Sequence, residues 1–197
     1  MQTEGRNMFS EEKQDRHPSI LVIAGPNGSG KSTVTKGLPV IGLYVNADEI
    51  KKASKCSDLE AAQEAEMIRR ALLEAGQDFT FETVLSTDRN LLLLEEAKKT
   101  GYQICAVYVL TKDSAINVRR VRNRVKMGGH DVPEDKIISR YEKSLQNLSK
   151  LVRIADQTRI VDNSIDVPCV ICEVVDGRAR IWESEVWSTA EILRILQ

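Results

Sequence analysis

An α/β fold with a mostly parallel sheet of about five strands and helices on both faces is what the sequence predicts. Two observations carry this. Short, continuous apolar runs alternate with segments of helical period along most of the chain, and strands buried on both faces read as such unbroken runs. The first of these runs ends in a glycine-rich stretch, GPNGSGKST (25–33), after which the pattern turns helical.

The elements follow in order. SILVIAG (19–25) reads as a central strand, and the helix that begins at Gly30 is ended by Pro39 and Gly42. IGLYVNAD (41–48) reads as the second strand. Over 57–75 Leu59, Ala62, Ala65, Ile68 and Leu72 recur at helical spacing, Ser57 and Glu60 form a capping box, and Gly76 stops the helix. DFTFETV (78–84) is the third strand, followed by a helix over about 88–99 that Gly101 closes. YQICAVYVLT (102–111) is the clearest strand. Two helices, 112–126 and 134–153, flank GGHDVPED, and TRIVDNS (158–164) supplies a further strand. From 168 to 197 the pattern changes to a hairpin around Asp176-Gly177 and a terminal amphipathic helix.

With 197 residues and 42% hydrophobic content the chain suits one sizeable core. We expect a flexible tail over 1–18, including a solvent-exposed His17, and a single domain over 19–197. The tail lacks the apolar centre of a signal peptide, and no run approaches the ~20 apolar residues of a membrane span. A net charge of −1 argues against coating nucleic acid or an anionic membrane. Cys56, Cys105, Cys169 and Cys172 are scattered, which suits the reducing cytoplasm. Cys169 and Cys172 lie three apart in a strand-like run, so they point to opposite faces and read as buried structural residues.

The glycine-rich stretch fits G-x-x-x-x-G-K-[ST] through Gly25, Gly30, Lys31 and Ser32, and lies between a strand and a helix, where that motif works. Gly25, Pro26, Asn27, Gly28, Ser29, Gly30, Lys31, Ser32 and Thr33 form a phosphate cradle at a helix N-terminus, in which every residue but Pro26 has a backbone N–H to offer. Lys31 is placed to reach the β and γ phosphates of ATP, and Ser32 to ligate Mg²⁺. The expected fold is therefore a three-layer P-loop NTPase fold, on which hydrolysis and transfer both stay open. A transporter-type ATPase needs an LSGGQ-like signature and a strand ending in Asp-Glu, and neither occurs; LLLLEEAKK (91–99) has helical composition.

Transfer to a hydroxyl needs a carboxylate beside the acceptor. Asp48 lies just past the second predicted strand, with Glu49 pointing away, and Glu82 ends the third on the same sheet edge. Both acids remain open to a bland reading as solvated strand-end residues. Thr83 and Ser86 are further hydroxyl contacts. Residues 112–153 hold eleven Lys and Arg against five Asp and Glu. Arg120 and Arg124 share one helix face, Val118, Val121 and Val125 another, and Arg140 lies beside a stripe of Ile137, Tyr141, Leu145, Leu148 and Val152. With Gly128-Gly129 as a hinge, this segment reads as a closing lid. Arg119, Arg122, Lys126 and Lys143 read as solvated, and His130 as a residue that orders the hinge.

Together the cradle, NADEI (46–50), FETVLS (81–86), RRVRNRVKMGGHDVPEDKIISRYEKSLQNL (119–148) and VDNS (161–164) resemble the zeta toxin-like family of P-loop kinases. The resemblance covers about 19–164 and, weakly, the C-terminal hairpin; GGHDVPEDKIISRY is its most specific part, and the resemblance implies a P-loop fold of kinase type. It implies that Lys31 and Ser32 serve ATP, that Asp48 is the base for a sugar hydroxyl, and that Glu82 with Thr83 lies in the substrate pocket. It also implies that Arg120, Arg124 and Arg140 stabilise the phosphoryl group in transfer. Characterised zeta toxins phosphorylate UDP-N-acetylglucosamine with ATP and Mg²⁺, so an ATP-dependent kinase acting on a small hydroxylated metabolite is expected, with a small antitoxin protein as a candidate partner. Two other readings stay open: a nucleic-acid NTPase or polynucleotide 5′-kinase, and a non-catalytic ATP-binding module.

Overall fold

A computed structural model describes residues 16–197. In chain order the elements are β1 (Ser19–Ala24), α1 (Lys31–Thr35), β2 (Leu43–Val45), α2 (Ala47–Ser54), α3 (Asp58–Glu74), β3 (Phe79–Thr83) and α4 (Arg89–Lys99). They continue with β4 (Gln103–Leu110), α5 (Ser114–Lys126), α6 (Glu134–Ile154), β5 (Gln157–Asp162), β6 (Cys169–Val175), β7 (Arg178–Ile181) and α7 (Thr189–Ile195).

The strands form one 7-stranded sheet in the order β2-β3-β1-β4-β5-β6-β7. The first five in that order are mutually parallel, and the β6-β7 hairpin adds to β5 antiparallel. The expected five parallel strands are thus present, and the hairpin extends their sheet. In the register, Ala24 lies beside Thr83 on one side and Tyr108 on the other. The β1–α1, β3–α4 and β4–α5 loops therefore leave the sheet at one carboxyl edge, which is where open α/β sheets hold ligands.

Alternate residues of β1 feed two cores. Ile20, Val22 and Ala24 join Phe79, Phe81 and Tyr108 in a large cluster beneath α3, α4, α6 and α7. Leu21 and Ile23 join Val107, Val109 and Val161 on the other face, which Val34, Leu38, Ile41 and Tyr44 cover. The layers are thus unequal. Tyr108 Oη and Ser144 Oγ share a buried hydrogen bond of 2.8 Å, and Tyr141 Oη donates to Thr111 O at 2.6 Å, so α6 is pinned to β4.

Several expectations are corrected. The second strand ends at Val45, because Asn46 accepts from Asp48 N and caps α2 over what had read as strand end. In α3 the Ser57–Glu60 capping box forms, but the buried face is Ala61, Ala65, Arg69 and Leu73, while Leu59 is 67% exposed. Ile68 and Leu72 pack only partly. Cys172 is buried, whereas Cys169 is exposed at the strand end; a register shift at Ile160/Val161 sets the two opposite Ile160 and Asp162, residues of one face of β5, so the bulge overturns the opposite faces that plain alternation predicts and only Cys172 joins the core. Of the expected tail, 1–15 lie outside the described residues. Arg16 pairs with Asp78 at 2.7 Å, His17 is exposed, and Pro18 O accepts from Gln103 N at 2.8 Å.

The face of α3 is testable by stability. Leu73→Ala is expected to cost about 2–5 kcal/mol in denaturant unfolding, and Leu59→Ala to stay within about 0.5 kcal/mol. A larger loss at Leu59 than at Leu73 would mean the helix packs in the phase the apolar spacing suggested.

Candidate active site

The loop between β1 and α1 is built for close approach. At Gly25 (φ 142°) a Cβ would lie 2.1 Å from Val109 O, and at Gly30 (φ 89°) one would lie 2.0 Å from Asn163 Nδ2. No side chain fits at either place. Two buried amides hold the loop: Asn163 Nδ2 donates to Ser29 O at 2.7 Å, and Asn117 Nδ2 to Asn27 O at 2.8 Å. Asn117 is itself oriented by Thr111 Oγ1, which donates to its Oδ1. Neither amide is among the site residues expected from sequence. Asn163 lay within the quoted VDNS, and Asn117 interrupts the apolar face of α5, the one local sign of a buried polar task.

Lys31 begins α1 and is 8% exposed. Its Nζ donates to Gly25 O at 2.8 Å and Pro26 O at 3.2 Å, with Glu82 Oε1 at 3.8 Å. Burial pushes the ammonium pKa down, opposed by Glu82 and Asp48. Ser32 and Thr33 are exposed on the first turn, and the Ser32 hydroxyl makes no protein hydrogen bond among the described residues. An uncommitted hydroxyl beside carboxylates suits a hard cation such as Mg²⁺.

Glu82 is tied in place. Tyr44 Oη and Asn46 Nδ2 donate to its Oε2 at 3.0 and 3.3 Å. Burial pushes the Tyr44 phenol up to about 12, with the Glu82 charge adding to it against the Asn46 hydrogen bond. Asp48 differs: it stands exposed in the first turn of α2, and its carboxylate makes no hydrogen bond among the described residues. Both acids line one cavity of about 800 Å³ with Gly28, Gly30, Lys31 and Ser32. Glu49 lines only a smaller neighbouring cavity of about 330 Å³.

Thr83 also lines the main cavity, but its Oγ1 already accepts from Leu85 N at 3.0 Å and Asn90 Nδ2 at 2.8 Å. It shapes the wall more than it offers an acceptor oxygen. Leu85 has φ 58°, a left-handed conformation disfavoured for leucine, and Asn147 Nδ2 secures its carbonyl at 3.1 Å. This turn sends Thr87 into the cavity wall, where Ser86 had been expected.

All three expected arginines reach the cavity. Arg120 Nη1 donates to Ser29 O at 3.4 Å, Arg140 Nη1 to Asn27 Oδ1 at 3.3 Å, and Arg124 Nε to His130 O at 3.1 Å. Val118, Val121, Val132 and Ile137 join α5 to α6 in a small core of their own, while Val125 is 36% exposed and lies outside it. Gly128 and Gly129 form a helix cap, with Gly129 N donating to Arg124 O at 2.9 Å and Gly128 N to Val125 O at 2.9 Å. Arg119, Arg122, Lys126 and Lys143 are exposed.

A glycine loop over a buried lysine, facing two carboxylates and flanked by a pair of arginine-bearing helices, defines a P-loop domain of kinase type. The chain belongs to the zeta toxin family, whose model matches residues 42–185. An uncharacterized protein of Haemophilus influenzae is 28% identical over 127 residues, 61% of this chain and 91% of its own length. Among solved structures, AvrRxo1-ORF1:-ORF2 with ATP matches with a TM-score of 0.69 at 15% identity, covering 92% of this chain. This chain spans 64% of that one. The PezAT chromosomal toxin–antitoxin system of Streptococcus pneumoniae matches with a TM-score of 0.54 at 14% identity, covering 97% of this chain and 88% of that one. At such identities the likeness is one of fold. Among the described residues no helix is long and apolar enough to cross a membrane.

The amide clamp predicts a nucleotide effect. Asn163→Ala removes the shorter of the two hydrogen bonds to the Ser29 carbonyl, leaving it only Arg120 at 3.4 Å, and is expected to weaken ATP on the order of 10-fold by calorimetry. An unchanged Kd would show that the loop holds its shape without Asn163.

Proposed function

We propose that this chain is an ATP-dependent phosphotransferase that moves the γ-phosphoryl group to a hydroxyl of a small metabolite. The observation that carries this is the contrast between two acids in one cavity. Glu82 is held by Lys31, Tyr44 and Asn46, while the Asp48 carboxylate meets no partner among the described residues and is open to the space beside the loop. A fixed carboxylate orients acceptor hydroxyls, and an uncommitted one can take a proton.

In this reading Lys31 exchanges the carbonyls of Gly25 and Pro26 for phosphate oxygens. Ser32 would hold Mg²⁺, which when bound neutralises charge on the β and γ phosphates. The acceptor oxygen attacks the γ phosphorus in line, its proton passes to Asp48, and the bond to the leaving ADP oxygen breaks. Arg120, Arg124 and Arg140 meet the charge on the phosphoryl group in transit. Two of them already touch the cradle, so closing the lid at 112–153 needs only a small movement.

Family membership supports kinase activity, and makes UDP-N-acetylglucosamine the first acceptor to test. PezAT is a toxin–antitoxin system, which supports a small antitoxin protein as partner. The four free cysteines support a cytoplasmic setting, and the single sheet that all seven strands share supports 19–197 acting as one domain.

The test is transfer from γ-labelled ATP to UDP-sugars, nucleosides, aminoglycosides and oligonucleotides. Lys31→Ala is expected to lose both tight ATP binding and transfer. Asp48→Asn is expected to leave the ATP Kd within about 3-fold while kcat falls roughly 10²- to 10⁴-fold. Transfer by Asp48→Asn at the parent rate would remove it as the base.

A further inference from the structure

Lys112 stands where the chain leaves β4 for α5, just before Asp113, whose carboxylate caps the helix by accepting from Ala115 N at 2.7 Å. Three contacts converge on it. Its Nζ lies 4.5 Å over the Trp187 ring and donates to Glu191 Oε1 at 2.7 Å, and its backbone N donates to Ser164 Oγ at 2.8 Å. Trp187 and Glu191 lie past residue 185, where the match to the family ends, so their role rests on this chain's own contacts.

Packing alone does not ask for this arrangement. Ile192 is fully buried and anchors α7 to the core, which is what cover requires. Trp187 is buried too, yet its Nε1 meets no hydrogen-bond partner among the described residues, a cost that a phenylalanine or a leucine would avoid. What the indole adds is a broad π face, and that face meets the Lys112 ammonium. Glu191 divides its oxygens. Its Oε2 closes the capping box of α7, accepting from Ser188 N at 3.0 Å and Ser188 Oγ at 2.8 Å, which leaves Oε1 for Lys112. The Lys112 hydrogen bond, with those from Ser188, holds the Glu191 carboxyl down to about 2.

α5 is the helix that needs such a hold. Its buried residues are Asn117, Val118 and Val121, and the two valines cluster with Val132 and Ile137 and not with the sheet. It nevertheless carries Arg120 and Arg124 to the main cavity. Asn117 and Arg120 meet the phosphate cradle, whereas the root of the helix is fixed through Lys112. A helix is stiff, so a shift at its root is carried to Arg120, about 12 Å along the axis.

We infer that Lys112 is a positioning residue for phosphoryl transfer: the C-terminal segment clamps it between Trp187 and Glu191, and the clamp sets the line of α5 and so the aim of Arg120 and Arg124. This rests on the phosphotransferase reading above and deepens it. Lys112 lines neither of the two cavities described and acts through the arginines.

The test compares the parent with Lys112→Met, which keeps the stem without the charge, Lys112→Arg, which keeps a cation over the indole, and Glu191→Gln, which keeps an oxygen for the α7 cap. Transfer is followed from γ-labelled ATP to UDP-N-acetylglucosamine. Lys112→Met is expected to lower kcat roughly 3- to 10-fold, with the acceptor KM and the ATP Kd within about 2-fold. Glu191→Gln should follow it part of the way, and Lys112→Arg should restore most of the parent rate. In an Arg120→Ala background the Lys112→Met loss should shrink, because the two act through one group; a loss of full size there overturns the positioning role. Hydrogen exchange reads the clamp without turnover. In protein holding Mg²⁺ and a non-hydrolysable ATP analogue, Lys112→Met should speed exchange in α5 several-fold and leave β1, β4 and α3 unmoved. Unchanged exchange in α5, faster exchange spread evenly over the fold, or a kcat at the parent value in Lys112→Met each overturns the inference. If the parent labels no UDP-N-acetylglucosamine, that result counts against the phosphotransferase reading with this acceptor, and the exchange of α5 alone upholds or overturns the clamp.

Discussion

Lys31 is a buried ammonium, and much of the site follows from giving it a counter-charge. Two loop carbonyls and Glu82 supply that, and Glu82 is in turn gripped by Tyr44 and Asn46. Asn46 does more: its Oδ1 accepts from Asp48 N at 2.8 Å and starts α2. One polar chain thus runs from the phosphate cradle, across the end of β3, to the helix turn that displays Asp48. Because each member shares a hydrogen bond or ion pair with the next, the Lys31 and Asp48 sides of the cavity are mechanically joined.

A second set of contacts ties the cradle to the other side of the sheet. Asn163, at the end of β5, and Asn117, on α5, both donate to loop carbonyls, and Arg120 and Arg140 reach the same loop. The loop is therefore held by side chains from elements far apart in sequence. This explains why α5 and α6 sit close to the loop in this structure. Their own apolar cluster is small, and polar contacts to the cradle, together with the pinning of α6 to β4 by Tyr108 and Tyr141, set their position.

Much of this was legible in the sequence, for local reasons. Buried parallel strands leave unbroken apolar runs, and capping boxes and glycine caps leave fixed spacings, so β1, β4, α4, α6 and the Asp176-Gly177 hairpin lie where the pattern put them. What misled was any residue whose local preference has two outcomes. Asn46 can continue a strand or cap a helix, and its bonds to Tyr44 and Glu82 select the cap. Leu59 kept the helical period yet faces solvent, since the phase of α3 is set by the sheet beneath it.

The sequence by itself determined the cradle, the alternation that makes the sheet parallel, and the cluster of arginines after Lys112, because glycine spacing, apolar period and charge are properties of neighbouring residues. Only the tertiary structure decided that Glu82 is bound while Asp48 is open, and that Asn117 and Asn163 clamp the cradle. It alone placed Arg69 at the cavity, over the Phe81 ring and with an Nε that no described residue meets. Pairing and burial depend on distances between residues tens of positions apart, and those distances exist only once the sheet has brought its carboxyl ends together.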